Sequence, residues 1–404
     1  MSRARTSQPL AIDGGAPVRE TLLEFSPPII GRAEIDAVVA TLESGWLTSG
    51  PRVAELEERF AEYAGAAHAI ATSSCTDALH LALRVAGVGQ DDEVITSSFT
   101  WPATVNAILH AGATPRFADV DPDTLNVDPA YVEAAITPRT RAVVPVHFAG
   151  GPCDMDAIEL AVKGREIAII EDAAHAVEAT VRGRKVGAIG DLTCFSLYAT
   201  KSLAGGEGGI VTTDSAAMAK RLRLLRAHGI TRDPWRRAQT RTLGHYDVVE
   251  PGWKANLADL QAAAALPKIG RIDEFRAHRA DLVGRYDAGL APLQGIEPIG
   301  RPGFGVHAHH LYVVRIDPAL AGADRDAYAA ALMAENVATG LHFLPVHELT
   351  WYREHLDPVP LPETERAGAE VLSLPLAAAH SEADIDDALA AVRKLHAVYA
   401  DVGS

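Results

Sequence analysis

Short apolar runs alternate with amphipathic segments through the first two thirds of the chain. The strand candidates are Val94–Thr96, Pro115–Ala118, Ala142–His147, Ile167–Ile170, Thr193–Leu197 and Ile210–Thr213. Helical patterns lie between several of them, for example apolar residues at positions 78, 79, 82, 83 and 86. This alternation predicts an α/β fold with a mostly parallel sheet that is covered on both faces. Such sheets bind ligands beyond the carboxyl ends of their strands.

The pattern changes near Leu257. A long helical segment, Leu257–Leu290, is interrupted near Pro267. It is followed by a strand at Leu311–Ile316, a helix at Arg325–Glu335, a short strand around Leu341 and a last helix at Glu382–Tyr399. These elements predict a smaller α+β domain. We therefore predict an N-terminal arm over residues 1–30, a large domain over 31–256, and an interdomain helix with a small C-terminal domain over 257–404.

Composition narrows the class of protein. The chain has 404 residues, 48% of them hydrophobic and 22% charged, which is typical of a globular protein. Its net charge of −16 makes nucleic acid an improbable partner. The three cysteines, Cys75, Cys153 and Cys194, have no CxxC spacing and indicate reduced thiols. No stretch has the pattern of a signal peptide or a membrane span, so we expect a cytoplasmic protein without a membrane partner.

An acid and an amine follow two of the predicted strands. Asp172 ends the apolar run that begins at Ile167, and Lys201 comes 29 residues later (201 − 172), just before the glycine-rich stretch 205–209. Pyridoxal phosphate (PLP) requires both groups, an amine for its aldehyde and a carboxylate for its ring nitrogen. A strand-end or helix-capping role for Asp172 and a solvated surface lysine are the alternatives.

Other residues in the same half of the chain suit a phosphate and a flat ring. The segment Thr72–Thr76 opens a helix, and the N–H groups at a helix start favour an anion. Ser196, five residues before Lys201, could add a hydroxyl to the same phosphate. Trp101, at a strand end, could stack on the cofactor ring or belong to the core. No GxxxxGK[ST] loop is present, which disfavours an NTPase.

Two further clusters leave alternatives open. The stretch His307-Ala-His-His310 has no acidic or thiol residue at ligand spacing, so we expect a strand entry with a polar rim and no metal site. Arg232–Arg241 carries four arginines and Trp235. It is either a solvated loop or a cationic loop that grips a diphosphate.

Taken together, the motifs resemble those of DegT/StrS-type sugar-nucleotide aminotransferases, a branch of the fold-type I PLP enzymes. The matching stretches run in family order: Glu43–Pro51, Asp92–Ile95, Thr100–Thr104, Pro145–His147, Glu171–Ala176, Phe195–Ser196 with Lys201, Glu207–Gly209, His228–Gly229, Gly252–Leu257, Gln261–Ala263 and Leu374–Pro375. The chain departs from the family pattern at Cys75, where glycine or alanine is usual, at Lys268, where glutamine is common, and at Ala255, where an aromatic residue is common.

The resemblance implies an aspartate-aminotransferase-like fold and a homodimer with shared active sites. It implies that Lys201 binds the cofactor aldehyde, that Asp172 pairs with the pyridine nitrogen, and that Trp101 stacks on the ring. The remaining implied cofactor contacts are His175 near the phenolic oxygen, Cys75, Thr76 and Ser196 at the phosphate, and Asn256 at the partner's phosphate site. Implied substrate contacts are Thr48, Tyr198, Lys254 and His342.

Within the family, Glu43–Thr48, His307–Leu311 and Thr339–Phe343 most resemble the branch that forms UDP-4-amino-4-deoxy-L-arabinose. This implies transfer of an amino group from L-glutamate to a UDP-4-keto-pentose. A dTDP- or UDP-linked 4-keto-6-deoxyhexose and a 3-keto sugar are the alternatives. A PLP-dependent sugar dehydratase is disfavoured, because that class resembles this family but has histidine in place of the lysine. A regulatory binding protein would be expected to add a basic DNA-binding module, which the sequence lacks.

Overall fold

A computed structural model describes residues 9–231 and 245–402. Its strands are β1 His68–Thr72, β2 Glu93–Ser97, β3 Thr114–Ala118, β4 Thr140–Val144, β5 Ala168–Asp172, β6 Thr180–Val181, β7 Arg184–Lys185, β8 Leu192–Ser196, β9 Gly209–Thr213, β10 Ile296–Pro298, β11 Gly305–Val306, β12 Tyr312–Ile316 and β13 Val371–Leu374. Its α-helices are α1 Arg32–Ser44, α2 Pro51–Ala64, α3 Cys75–Val85, α4 Pro102–His110, α5 Pro129–Ala135, α6 Met155–Ala161, α7 Ala216–Leu225, α8 Asp259–Ala265, α9 Ile272–Leu290, α10 Pro318–Ala321, α11 Arg325–Ala334, α12 Thr350–His355, α13 Pro362–Glu370 and α14 Glu382–Val402.

A seven-stranded sheet dominates the first part of the chain. Its strand order is β1-β9-β8-β5-β4-β2-β3, and β9 alone runs antiparallel to its neighbours. The α/β fold with a mostly parallel sheet is therefore confirmed. Because β1, β2, β5 and β8 are parallel, their carboxyl ends lie at one edge of the sheet, and the segments that follow them meet there.

Five of the six strand predictions in this region match observed strands to within two residues at each end. The run Ala142–His147 was extended too far, since β4 ends at Val144 and Phe148–Gly150 forms a 3-10 turn. Strand β1 was not predicted. Its sequence, His-Ala-Ile-Ala-Thr, contains two alanines, which have weak strand propensity, so its pairing with β9 is decided by burial in the sheet.

Helix α2 is tied to the region just after Asn256 by a buried carboxylate. Asp259 accepts hydrogen bonds from the backbone N–H groups of Gly50, Arg52 and Val53 at 2.8, 3.1 and 3.0 Å. A carboxylate suits this place because the first N–H groups of a helix have no acceptor within the helix. The contact fixes α8, and with it the chain around Asn256, next to the start of α2.

The C-terminal part has its own core. Strands β10, β12 and β13 form an antiparallel sheet, and α9, α11 and α14 contribute buried side chains to one cluster with it. Leu10 and Leu23 are buried in the same cluster, so the predicted arm packs on this part of the molecule. The domain boundaries at residues 30 and 256 stay predictions.

One strand prediction in this part was wrong. No strand forms around Leu341, although Gly340 makes a single antiparallel bridge with Ser373. The chain leaves the sheet there, so that Phe343 is buried in a cluster with Phe99 and Phe148, which follow strands of the large sheet, while Leu341 is exposed. Among the residues that the structure covers, no helix is both long and apolar enough to cross a membrane.

Candidate active site

Polar side chains from several strand ends meet at the carboxyl edge of the large sheet. Ser73–Thr76 follow β1, Ser98–Trp101 follow β2, Asp172 ends β5, and Ser196 ends β8 just before Lys201. The turn between Ser196 and Lys201 is held by hydrogen bonds from the Tyr198 N–H to Ser196 Oγ at 3.2 Å and from the Lys201 N–H to the Tyr198 oxygen at 2.9 Å. The turn therefore brings the Lys201 amine back over the strand ends.

The Lys201 amine is enclosed and has a perturbed pKa. Its Nζ lies 3.1 Å from His310 Nε2. Burial lowers the pKa of Lys201 to about 8, although the nearby Cys75 and Asp172 groups act in the opposite direction. At pH 7 about a tenth of such an amine is unprotonated, far more than for an ordinary lysine, and the unprotonated form is the one that acts as nucleophile and base.

Asp172 is buried, with 6% of its surface exposed. The Thr104 hydroxyl donates to its Oδ2 at 2.7 Å, and the Ala174 N–H donates to its Oδ1 at 3.2 Å. Burial raises the pKa of Asp172, while these two hydrogen bonds and the charge of Lys201 partly oppose the rise. Each carboxylate oxygen can still accept another hydrogen bond, so the group has capacity for a cationic partner.

His175 lies beside Asp172 with an unmet hydrogen-bonding atom. Its buried Nδ1 has no hydrogen-bond partner among the described residues. The ring stacks on Phe343, with centroids 5.9 Å apart and an interplanar angle of 20°, and lies 4.5 Å from the His310 ring. Burial, with the adjacent Lys201 charge, keeps the pKa of His175 well below its ordinary value, so the imidazole is neutral.

The start of α3 lies close enough to Lys201 and Asp172 to be coupled to them. Ser74 caps the helix by accepting from the Asp77 N–H at 3.0 Å, which leaves the N–H groups of Cys75 and Thr76 without an acceptor in the helix. The pKa of Cys75 rises well above its usual range through burial and the charge of Asp172. Cys75 is thus a neutral thiol at the helix end.

Trp101 and three of the predicted substrate residues, Thr48, Tyr198 and His342, differ in their exposure. Trp101 is the N-cap of α4 and is 64% exposed, with its ring 6.2 Å from that of Phe343. Thr48 and Tyr198 are also exposed. His342 donates or accepts one hydrogen bond with Ser373 Oγ at 2.9 Å, and burial lowers its pKa to about 4.

Asn256 has its own partners within the chain. Its amide nitrogen lies 2.6 Å from Ser49 Oγ, and its oxygen accepts from the Lys254 amine. Its backbone also bridges that of Thr72, directly before the start of α3. The side chains of Asn256 and Lys254 are therefore in contact, and the Asn256 backbone lies next to the segment that leads into α3.

These residues fit PLP. The Lys201 amine, with its lowered pKa, matches the cofactor aldehyde, and the buried Asp172 carboxylate matches the ring nitrogen. The unpaired His175 Nδ1 matches the ring oxygen, and the free N–H groups at the start of α3 match the phosphate. No cluster of three or more potential metal ligands occurs among the residues described, the His307–His310 stretch included. The arginine-rich stretch Arg232–Arg241 lies outside the described residues.

Sequence reasoning assigned no role to three residues that the structure brings to the site. They are Thr104, which donates to Asp172, His310, which contacts Lys201, and Phe343, which stacks on His175. Thr104 and His310 stood in stretches already noted for other reasons, and no local pattern marked their contacts.

The mostly parallel sheet, with a lysine amine and a carboxylate at its strand ends, defines an α/β enzyme of the PLP-dependent, fold-type I class. The DegT/DnrJ/EryC1/StrS aminotransferase family matches residues 28–393. The chain belongs to this family and is an aminotransferase whose cofactor is PLP.

Individual relatives cover nearly the whole chain. The spore coat polysaccharide biosynthesis protein SpsC of Bacillus subtilis (strain 168) is 45% identical over 380 residues, which span 93% of this chain and 98% of SpsC. The structure of DesI, solved in the presence of its TDP-sugar product, is 37% identical with a TM-score of 0.86, covering 97% of this chain and 96% of DesI. The putative sugar aminotransferase Spr1654 from Streptococcus pneumoniae, in its PLP form, is 32% identical with a TM-score of 0.86, covering 94% and 99% of the two chains.

Proposed function

We propose that the protein transfers an amino group from L-glutamate to a nucleotide-linked 4-keto sugar. The observation that carries the proposal is the enclosed Lys201 amine, electrostatically coupled to Asp172 at the end of β5. PLP, when bound, supplies the electron sink that lets a proton leave the substrate carbon. Lys201 would hold the cofactor aldehyde and then move the proton as a base.

The other side chains bind and orient in this proposal. Asp172, kept ionised by a cationic ring nitrogen, would fix the ring's protonation. His175 would donate to or accept from the ring oxygen through its unpaired Nδ1. Trp101 would cover the outer ring face and exclude water. The phosphate would be held by Thr76 and Ser196 side chains and by the N–H groups at the start of α3, including that of Cys75.

The first sugar candidate is a UDP-4-keto-pentose. Two of the three sequence stretches that suggested it supply residues around Lys201: His310 contacts the amine, and His342 and Phe343 flank His175. Thr48, Tyr198 and Lys254 are further proposed substrate contacts. A TDP-linked 4-keto-6-deoxyhexose is the second candidate, because DesI was solved with its TDP-sugar product.

We also propose a homodimer in which Asn256 reaches the phosphate site of the partner subunit. Light scattering of the purified protein would give the mass of the particle. Asn256→Ala should weaken PLP binding without changing the fold, which absorbance titration of the cofactor-free protein would measure. A monomeric particle with full PLP affinity in the variant would contradict this part of the proposal.

The substrate assignment is tested by incubation with nitrogen-15 glutamate and a panel of UDP- and TDP-linked 4-keto and 3-keto sugars. Mass spectrometry should find the label in one 4-amino sugar nucleotide. Loss of a hydroxyl without nitrogen gain would favour a dehydratase instead.

Lys201→Ala should abolish transfer and the visible absorbance of the lysine-bound cofactor. If this variant kept both, the site assignment would fail.

A further inference from the structure

One buried imidazole in direct contact with the Lys201 amine has no role in the function proposed above. We propose that His310 is a positioning residue, whose Nε2 accepts a hydrogen bond from Lys201 Nζ whenever the amine is not attached to the cofactor. This inference rests on the proposed function, because only a reaction that frees and reuses the amine requires the amine to wait in a defined place.

The contact is geometrically well supported. His310 Nε2 lies 3.1 Å from Nζ, and only 7% of the His310 surface is exposed. The His310 N–H donates to the Ala149 oxygen at 3.1 Å. A side chain at Gly150 would come within 3.1 Å of the His310 nitrogen, and Gly150 has a φ of +92°. The 3-10 turn after β4 thus accepts only glycine there and holds the start of β12 against the site.

The protonation state of His310 matches the role of acceptor. Burial, the Lys201 charge, His175 and Arg279 together keep the pKa of His310 well below its ordinary value. The imidazole is therefore neutral, and an ammonium at 3.1 Å can only donate, so Nε2 is the unprotonated nitrogen. The Arg279 guanidinium is itself paired with Glu178 at 2.6 Å.

A neutral acceptor does something that a carboxylate could not do. It directs the amine without adding a negative charge that would stabilise the ammonium form, so the pKa of Lys201 stays near 8. The ionisable groups around the amine are Asp172 on β5, Cys75 on α3, and the neutral rings of His175, His310 and His342. Asp172 is the one carboxyl group among them, and it would pair with the ring nitrogen in the proposed reaction.

The experiment compares His310→Gln, His310→Leu and His310→Glu with the natural protein as full-length chains. The first readout is the pKa of Lys201 in the cofactor-free protein, from competitive acetylation at a series of pH values followed by peptide mass spectrometry. The second is the pH profile of the single-turnover reaction of the PLP-loaded protein with glutamate. The acetylation readout needs no sugar substrate, so it stands or falls independently of the proposed function.

We expect His310→Glu to raise the pKa of Lys201 by about 1 unit or more, because an opposite charge at this distance favours the ammonium. The rise of the rate with pH should move to higher pH by the same amount. His310→Leu should slow the single-turnover reaction roughly ten- to hundredfold, because the Lys201 amine loses the acceptor that orients it. His310→Gln keeps a neutral acceptor, so the pKa of Lys201 should stay at its natural value and most of the single-turnover rate should remain.

His309→Asn is the matched control. The His309 ring stacks on His307, with centroids 4.6 Å apart, and has no hydrogen bond to Lys201. Its φ of +52° suits asparagine. The inference is overturned if Glu and Leu at position 310 leave the Lys201 pKa and the single-turnover profile as in this control. Should the Glu variant fail to fold, a Leu variant with the natural rate would overturn it alone.

Discussion

Two adjacent carboxylates on β5 have opposite surroundings. Glu171 and Asp172 are consecutive, so their side chains point to opposite faces of the sheet. Both are buried, with exposed fractions of 0% and 6%. Glu171 accepts hydrogen bonds from three donors, whereas Asp172 accepts from two.

Three donors hold the Glu171 carboxylate. Glu171 Oε1 accepts from the Gly190 N–H at 2.8 Å and the Thr193 hydroxyl at 2.7 Å, and Oε2 lies 2.9 Å from His147 Nε2. The Cys153 N–H donates to His147 Nδ1 at 3.0 Å, so Nε2 carries the proton that faces Glu171. Burial acts to raise the pKa of Glu171, but the bonds from His147, Thr193 and Gly190 outweigh it and the pKa falls.

On the opposite face, burial wins. The pKa of Asp172 is raised despite its two donors, and the buried Nδ1 of His175 has no partner in the part of the chain that the structure covers. A buried polar atom without a hydrogen-bond partner destabilises the fold unless a bound ligand supplies that partner. Glu171, whose pKa is lowered by its three donors, therefore suits a structural role, whereas Asp172, whose pKa stays raised, suits a cationic ligand.

The largest effects should separate the two carboxylates. Asp172→Asn should lower the transamination rate by at least about a hundredfold, because an amide cannot balance a cationic ring nitrogen. Glu171→Gln should instead destabilise the protein by about 1–3 kcal/mol, because the amide NH2 would replace an oxygen that accepts from a buried donor. Turnover per folded, PLP-loaded molecule and denaturant unfolding measure the two effects. Equal losses of rate in both variants would remove the distinction.

A smaller effect should come from the hydroxyls that serve each carboxylate. Thr104→Val removes a donor to the charged form of Asp172, so the pKa of Asp172 should rise further and the carboxylate should protonate at higher pH. The rate should fall by about tenfold at pH 6 and less at pH 8. Thr193→Val, the matched change beside Glu171, should lower the unfolding temperature and leave the pH profile unchanged. Identical pH profiles for Thr104→Val and the natural enzyme would contradict the prediction.

The smallest effect should be a loss of stability in acid from the histidines around Lys201. Burial depresses the pKa of His342 from 6.5 to about 4, and those of His175 and His310 also fall. Between pH 6.5 and about 4 the unfolded chain therefore binds more protons than the folded chain, so stability should decrease as the pH falls. The unfolding temperature of the cofactor-free protein, measured against pH, should fall less steeply in His342→Asn. An unchanged slope in this variant would show that His342 does not contribute.

Much of the site followed from local pattern. Lys201 and Asp172 each follow a predicted apolar strand, and parallel strands bring such residues to one edge of a sheet, whereas Thr76 was singled out because its segment opens a helix. The alternation that predicted the sheet needs no knowledge of which strands pair. The prediction failed where periodicity was weak or tertiary contacts dominated: at β1, whose alanines do not favour a strand, and at Leu341, where the chain turns towards the site.

Local sequence was enough to predict the class of fold and to single out Lys201 and Asp172 as a candidate amine and acid, because strand period and strand-end chemistry are properties of neighbouring residues. The contact of Thr104 with Asp172 joins positions 68 residues apart, and that of His310 with Lys201 joins positions 109 residues apart, so both were visible only in the folded chain. The same holds for the opposite fates of Glu171 and Asp172. Hydrogen bonds between distant segments depend on how sheets and helices pack, and packing leaves no periodic trace along the chain.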